Sequence, residues 1–92
     1  MIKTFRCRET ERLFEGARVR RFVNIETVAM RKLAMLNNAA RLDDLRIPPA
    51  NRLEALRADR AGQYSIRIND QFRLCFIWTD EGPAEVEIVD YH

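Results

Sequence analysis

With 92 residues, 47% of them hydrophobic and 33% charged, the chain has the length of one domain and the balance of a soluble globular protein, and three Gly and three Pro argue against low complexity. The net charge of +2 hides an asymmetry: residues 1–78 carry 16 basic and 9 acidic side chains (net +7), whereas residues 79–92 carry five acids and no Lys or Arg (net −5). No apolar run reaches the roughly 20 residues of a membrane span, and no apolar stretch marks a secretory signal, so a cytoplasmic chain without membrane contact is expected.

Residues 2–6 alternate apolar and polar side chains and predict a short strand. Residues 8–15 predict a short helix stopped by Gly16. A longer helix is predicted over 24–41, with Asn24 as N-cap and Glu26 as an acid in the first turn. Phe22, Ile25, Ala29, Leu33, Leu36 and Ala40 recur at steps of three or four and draw one apolar stripe. One more turn over 42–45 precedes the stop at Pro48-Pro49.

Beyond Pro49 the period falls to two. Strands are predicted over 52–57, 63–68, 72–78 and 84–91, with turns at 59–62, Asn69-Asp70 and 80–83. Tyr64, Ile66 and Ile68 share one face, as do Phe72, Leu74, Phe76 and Trp78, and as do Ala84, Val86 and Ile88. The order β-α-α-β-β-β-β places helices ahead of an antiparallel meander, which is a two-layer α+β domain spanning 1–92. Its long helix should lie on the face built by Ile66, Leu74, Phe76, Val86 and Ile88.

The inventory restricts the chemistry. Cys7 and Cys75 form no CxxC pair, and the single histidine, His92, leaves too few ligands for an all-protein zinc site. Glycines at 16, 62 and 82 build no phosphate loop, and no Ser sits in a nucleophile-elbow pattern. Catalysis would run on Arg, Lys, Glu, Asp, Tyr and one His, without a metal or nucleotide cofactor.

A two-layer fold leaves one sheet face without helices. By parity Arg67, Arg73, Glu85, Glu87 and Tyr91 point there. Arg73 lies mid-strand, where a fixed guanidinium can grip a phosphate with two parallel hydrogen bonds, or pair across the sheet with Glu85 or Glu87. Tyr91 and His92 end the chain on two groups able to move a proton, or on a tail without a role. Trp78 shares the Phe72–Phe76 face and reads as core rather than as an RNA-stacking platform. Cys75 reads as a small filler.

Taken together, these residues resemble the HigB toxins of bacterial type II toxin–antitoxin systems, within the RelE-like superfamily, and are especially similar to the GraT branch. The resemblance covers the whole chain. It is carried by the first five residues, the Asn51-Arg52-Leu53-Glu54-Ala55-Leu56 segment, residues 59–69 with the Gly62 turn, Arg73-Leu74-Cys75-Phe76, and the tail Asp90-Tyr91-His92.

The resemblance implies a two-layer RelE-like fold and a ribosome-dependent endoribonuclease that cleaves mRNA in the decoding site, inhibits translation and uses no cofactor. It implies a HigA-like helix-turn-helix antitoxin as partner, the ribosome and mRNA as targets, and contact with operator DNA only through the antitoxin. The family's catalytic positions fall on Arg73, Tyr91 and His92, which match directly. They also fall on Arg57, where Lys is usual, and on Glu54, where His is usual. Arg67 and Arg52 complete the set as substrate-binding cations. Period-two parity puts Glu54 and Arg57 on opposite faces, so only one of them joins the cleft unless a bulge or turn re-aims the chain. A ParE-like gyrase inhibitor and a non-catalytic binding module are the alternatives on the same fold.

Overall fold

The computed structural model describes residues 1–91, so His92 lies outside the described residues. Among the described residues two helices and four short 3₁₀ turns pack with a four-stranded antiparallel sheet, and the change of period at Pro49 separates the two helices from the strands. Helix α1 spans Arg8–Phe14, with Glu9 and Glu11 in its first turn, where the helix dipole favours acids. It closes at Gly16, whose φ of +96° is a left-handed geometry open to glycine, with Ala17 N–H donating to Arg12 O at 2.9 Å.

Helix α2 spans Glu26–Asn38, shorter at both ends than the predicted 24–41. A 3₁₀ turn over Arg20–Phe22 feeds directly into it, so Ile25 takes the N-cap position and no side chain caps the helix. At the other end the Asp44 carboxylate accepts from the N–H groups of Ala40 and Arg41 at 2.9 and 3.0 Å. Those two amides are thereby drawn into the next 3₁₀ turn, Leu42–Arg46, and Ala40 falls off the apolar stripe into solvent. Residues 29, 33 and 36 keep their place: Ala29, Leu33 and Leu36 are fully buried with Phe22.

The strands are β1 (Glu54–Ala55), β2 (Tyr64–Arg67), β3 (Phe72–Thr79) and β4 (Gly82–Asp90), in spatial order β1-β2-β3-β4. Ile66, Leu74, Phe76, Val86 and Ile88 meet α2 in one core cluster, as their period predicts. Fully burying each such side chain contributes about 1.5–3 kcal/mol. Trp78 packs against the same cluster, and Phe22 meets Phe72 edge-on at 6.1 Å. Thr10, fully buried, accepts from Ile88 N–H at 3.0 Å and ties α1 to β4.

Three expectations about the strands change as well. Residues 2–6 form no strand ladder: Phe5 makes one isolated parallel bridge to Val86, supported by Lys3 N–H to Pro83 O at 2.8 Å and Arg6 N–H to Val86 O at 3.0 Å. The ladder stops because Glu85 is turned to a φ of +52° and gives its N–H to the Thr4 hydroxyl at 2.9 Å. The strand expected over 52–57 contracts to two residues, bracketed by left-handed Arg52 (φ +47°) and Ala58 (φ +55°). Finally, β4 bulges: Cys75 pairs with Glu87 but Ile77 pairs with Ala84, so Glu85 and Val86 together oppose Phe76. Ala84 therefore sits opposite Ile77 and does not continue the core row of Val86 and Ile88.

Candidate active site

Because β2 and β3 alternate, the residues between the core positions face away from the helices. Pairing registers Glu54 with Ser65, Ser65 with Cys75 and Cys75 with Glu87, one row across all four strands. The next row holds Arg67, Arg73 and Val89. No pocket forms on this face among the described residues, and Ser65 and Cys75 on it are fully buried.

Arg73 is fixed by three groups. Its Nε–H donates to the Ser65 hydroxyl at 2.8 Å, and its Nη2 donates to the Arg52 carbonyl at 2.7 Å and more weakly to the Ser65 carbonyl at 3.5 Å. Glu54 adds a carboxylate oxygen 3.8 Å from Nη2. Nη1 makes no hydrogen bond among the described residues. The Arg73 side chain is only 11% exposed, so this guanidinium is held in place rather than sampling solvent. The cross-strand pair with Glu85 or Glu87 is not formed. Glu87 instead accepts from Arg60 Nη1 at 2.9 Å and lies 3.9 Å from Arg6, while Glu85 is exposed in the bulge.

The other candidates divide. Glu54 joins Arg73. Tyr91 lies two residues beyond Val89, the register partner of Arg73, which is a diagonal neighbour at roughly 7–8 Å. Its N–H donates to Gln71 O at 2.6 Å, and the residue is 38% exposed. Arg67 stands directly opposite Arg73 and is paired with Asp70 in the following turn. Arg52 contributes its carbonyl, not its exposed side chain. Arg57 is exposed, makes no side-chain bond among the described residues and is not drawn to Arg73; it caps the 3₁₀ turn Ala58–Arg60. His92 lies outside the described residues.

Sequence reasoning missed two members of this face. Ser65 follows from parity, but nothing in the sequence signals that its fully buried hydroxyl braces Arg73. Arg60 reads as a turn residue. In fact it reaches back to Glu87 and Gln63, and the Glu87 hydrogen bond holds its guanidinium still more firmly protonated than usual. Cys75, fully buried, has Arg60, Glu87 and Arg73 as charged neighbours. Burial pushes its thiol up to about 11, which leaves it inert as a nucleophile. No group of three His, Cys, Asp or Glu among the described residues is arranged to hold a metal ion, and no helix there is long and apolar enough to cross a membrane.

Comparison with known proteins matches residues 3–92 to the family model of HigB-like toxins, described as the RelE-like toxin of type II toxin–antitoxin system HigB. The chain is 40% identical over 94 residues to Toxin HigB-1 of Vibrio cholerae, covering 100% of this chain and 98% of that protein. It is 45% identical over 53 residues to an uncharacterized protein of Haemophilus influenzae, covering 58% of this chain and 52% of that one. Among solved structures it superposes on a chain of the YoeB-YefM complex from Staphylococcus aureus with a TM-score of 0.63 at 17% identity, over 100% of this chain and 98% of the other, a likeness of fold.

Proposed function

This chain belongs to the HigB-like family of RelE-like toxins of type II toxin–antitoxin systems, and on that premise we propose that it is an mRNA endoribonuclease acting on the ribosome. The observation that supports this most is the braced Arg73 guanidinium on the helix-free face, with the Glu54 carboxylate 3.8 Å from it. RNA brings its own nucleophile, the 2′-hydroxyl, so cleavage requires no covalent enzyme intermediate and no metal. A base removes the 2′ proton, a cation stabilises the phosphorane, and an acid protonates the departing 5′-oxygen.

In this reading Arg73 meets the phosphorane through its unengaged edge, in a geometry fixed before substrate arrives. One such preorganised donor contributes about 2.7–4 kcal/mol to the transition state. In-line displacement needs base and acid on opposite sides of phosphorus. In this reading Glu54 of β1 serves on one side and Tyr91, after β4, on the other, with β3 and its Arg73 between those strands, and His92 joins Tyr91 on the resemblance alone. Each proton transfer is worth roughly 10²–10⁴-fold in rate. Arg67 and Arg52 hold the neighbouring phosphates, and Arg57 adds a more distant positive charge. The net +7 of residues 1–78 draws the chain to polyanions such as the ribosome and its message. The partner that silences it is a HigA-like helix-turn-helix antitoxin, through which alone the toxin meets operator DNA.

Mapping the 5′ ends of cellular mRNA after induced expression tests this reading. New 5′-hydroxyl ends within translated regions, absent for Arg73→Ala, are expected, with 2′,3′-cyclic or 3′-phosphate on the upstream fragments. DNA-damage signalling without new mRNA ends would point to gyrase inhibition and overturn it.

A further inference from the structure

We propose that Asn51, clamped by Lys32, is a positioning residue that sets the carbonyl on which Arg73 is braced; the proposal rests on the reading of Arg73 as the phosphorane-stabilising group. The starting point is an unusual buried pair. Lys32, on the core side of α2, is 8% exposed, and its ammonium donates to Asn51 Oδ1 at 2.6 Å. Its charged neighbours are Arg31 and Arg67, and burial with these like charges lowers the lysine pKa. A buried cation satisfied by a neutral amide costs more than a packed apolar side chain of the same volume. The core alone therefore gives no reason for a lysine here.

Asn51 is the end of the arrangement that does something. It is completely buried, and every group on its amide is engaged. Nδ2 donates to Leu45 O at 3.1 Å and Ile47 O at 3.4 Å, with Met35 Sδ at 3.3 Å. Asn51 thereby pins the last residue of the 3₁₀ turn Pro49–Asn51 against both α2 and the turn before it. The next residue, Arg52, is forced to left-handed geometry (φ +47°, ψ +58°), with its N–H bonded to Pro49 O at 3.0 Å. In that conformation its carbonyl accepts from Arg73 Nη2 at 2.7 Å.

On the other side of that peptide unit Leu53 packs against the core, but no ladder hydrogen bond reaches Arg52. Strand β1 begins only at Glu54 and has two residues, too short to hold its own register. The acceptor facing Arg73 is thus set by the Lys32–Asn51 clamp and not by the sheet. The chain of contacts runs Lys32 to Asn51, Asn51 through one peptide unit to Arg52, and Arg52 O to Arg73.

The test uses the full chain with Asn51→Ala and Lys32→Met, the latter filling a similar volume without the charge. The solvent-exchange rate of the Arg73 Nη2 protons, which donate to the Arg52 carbonyl, is followed by nitrogen-15 NMR. Arg60, held by Glu87 away from the clamp, serves as internal reference. Expected for both variants is Arg73 exchange faster by roughly tenfold or more, with Arg60 unchanged. On programmed ribosomes, turnover falls roughly 10²-fold at near-constant KM, because misplacement by about 1 Å costs that much in rate. An unchanged Arg73 signal in folded Asn51→Ala overturns the proposal; should Asn51→Ala fail to fold, Lys32→Met decides in the same way. The NMR measurement judges the bracing without a cleavage assay. A wild-type chain that cut no mRNA would count against the nuclease reading and not against the clamp.

Discussion

Arg67 and Arg73 stand directly opposite each other in the antiparallel β2–β3 ladder, on the face turned away from the helices. Like charges in directly opposed positions cost stability. Here the cost is offset locally, by Asp70 on Arg67 and by Glu54 at 3.8 Å from Arg73. A phosphodiester lying across the pair would neutralise both at once. Arg67→Gln should therefore leave thermal stability within about 0.5 kcal/mol of wild type. It should weaken binding to single-stranded RNA and lower the slope of log affinity against log salt by roughly 0.7. Fluorescence anisotropy across a salt series measures that slope; an unchanged slope would remove Arg67 from the RNA surface.

Arg73→Ala should abolish detectable toxicity, with turnover reduced by roughly 10²–10³-fold and the fold retained. Arg73→Lys is the sharper test. A lysine has no Nε–H for the Ser65 hydroxyl and no planar fork to span Ser65 and Arg52, so positive charge alone should restore little. Growth arrest after induction, with circular dichroism as the fold control, reads both variants. Wild-type killing by Arg73→Lys would show that charge suffices and the bracing is irrelevant.

Glu54 occupies a position where the resemblance leads one to expect a histidine, yet it is the acidic side chain that reaches Arg73. In the proposed role of base, its carboxylate is the group that matters and its shape is not. Glu54→Gln should cut turnover by roughly 10²–10⁴-fold with little change in KM. Single-turnover cleavage on ribosomes separates the two quantities. Full activity in Glu54→Gln would shift the base to the Tyr91–His92 end.

The apolar periods of the sequence carried the layer arrangement well: Leu33 and Leu36 of α2 do meet Ile66, Leu74, Phe76 and Ile88, because burial follows spacing. Parity also put Arg73 and Tyr91 on the same bare face. Parity could not report the bulge at Glu85, since two residues opposing one is a backbone event set by Thr4 from the far end of the chain. The same limit hid Arg52: its side chain looked like the functional part, while the left-handed backbone makes its carbonyl the contact. Period-two reading separated Glu54 from Arg57, but the strand it assumed spans only Glu54–Ala55, and the contact at 3.8 Å is what puts Glu54 beside Arg73. Long-range partners such as Arg60 with Glu87 have no local signature at all.

Cys75 gives a prediction that depends on pH and not on RNA. Its thiol is fully buried, and burial, opposed in part by Arg60 and Arg73 and reinforced by Glu87, raises its pKa from 9.0 to about 11. In the unfolded chain the same thiol loses its proton near pH 9, so between about pH 9 and 11 the unfolded state binds fewer protons than the folded one. Stability is then complete below pH 9 and falls as pH rises toward 11, by up to about 1.4 kcal/mol per unit from this one group. Cys75→Ala should cost roughly 1 kcal/mol at pH 8, from the lost packing of one buried heavy atom. It should lose less than wild type above pH 9, so the two stability curves converge or cross. Urea unfolding of both proteins from pH 8 to 10.5 measures the difference, in which the ionisation of every shared lysine and tyrosine cancels. A maleimide at pH 7 gives an independent reading: half-buried Cys7 should label in the folded chain, and Cys75 only once urea opens it. Parallel stability curves, or rapid labelling of Cys75 in the native protein, would mean that the thiol is far more accessible to water than its place between β2 and β4 implies.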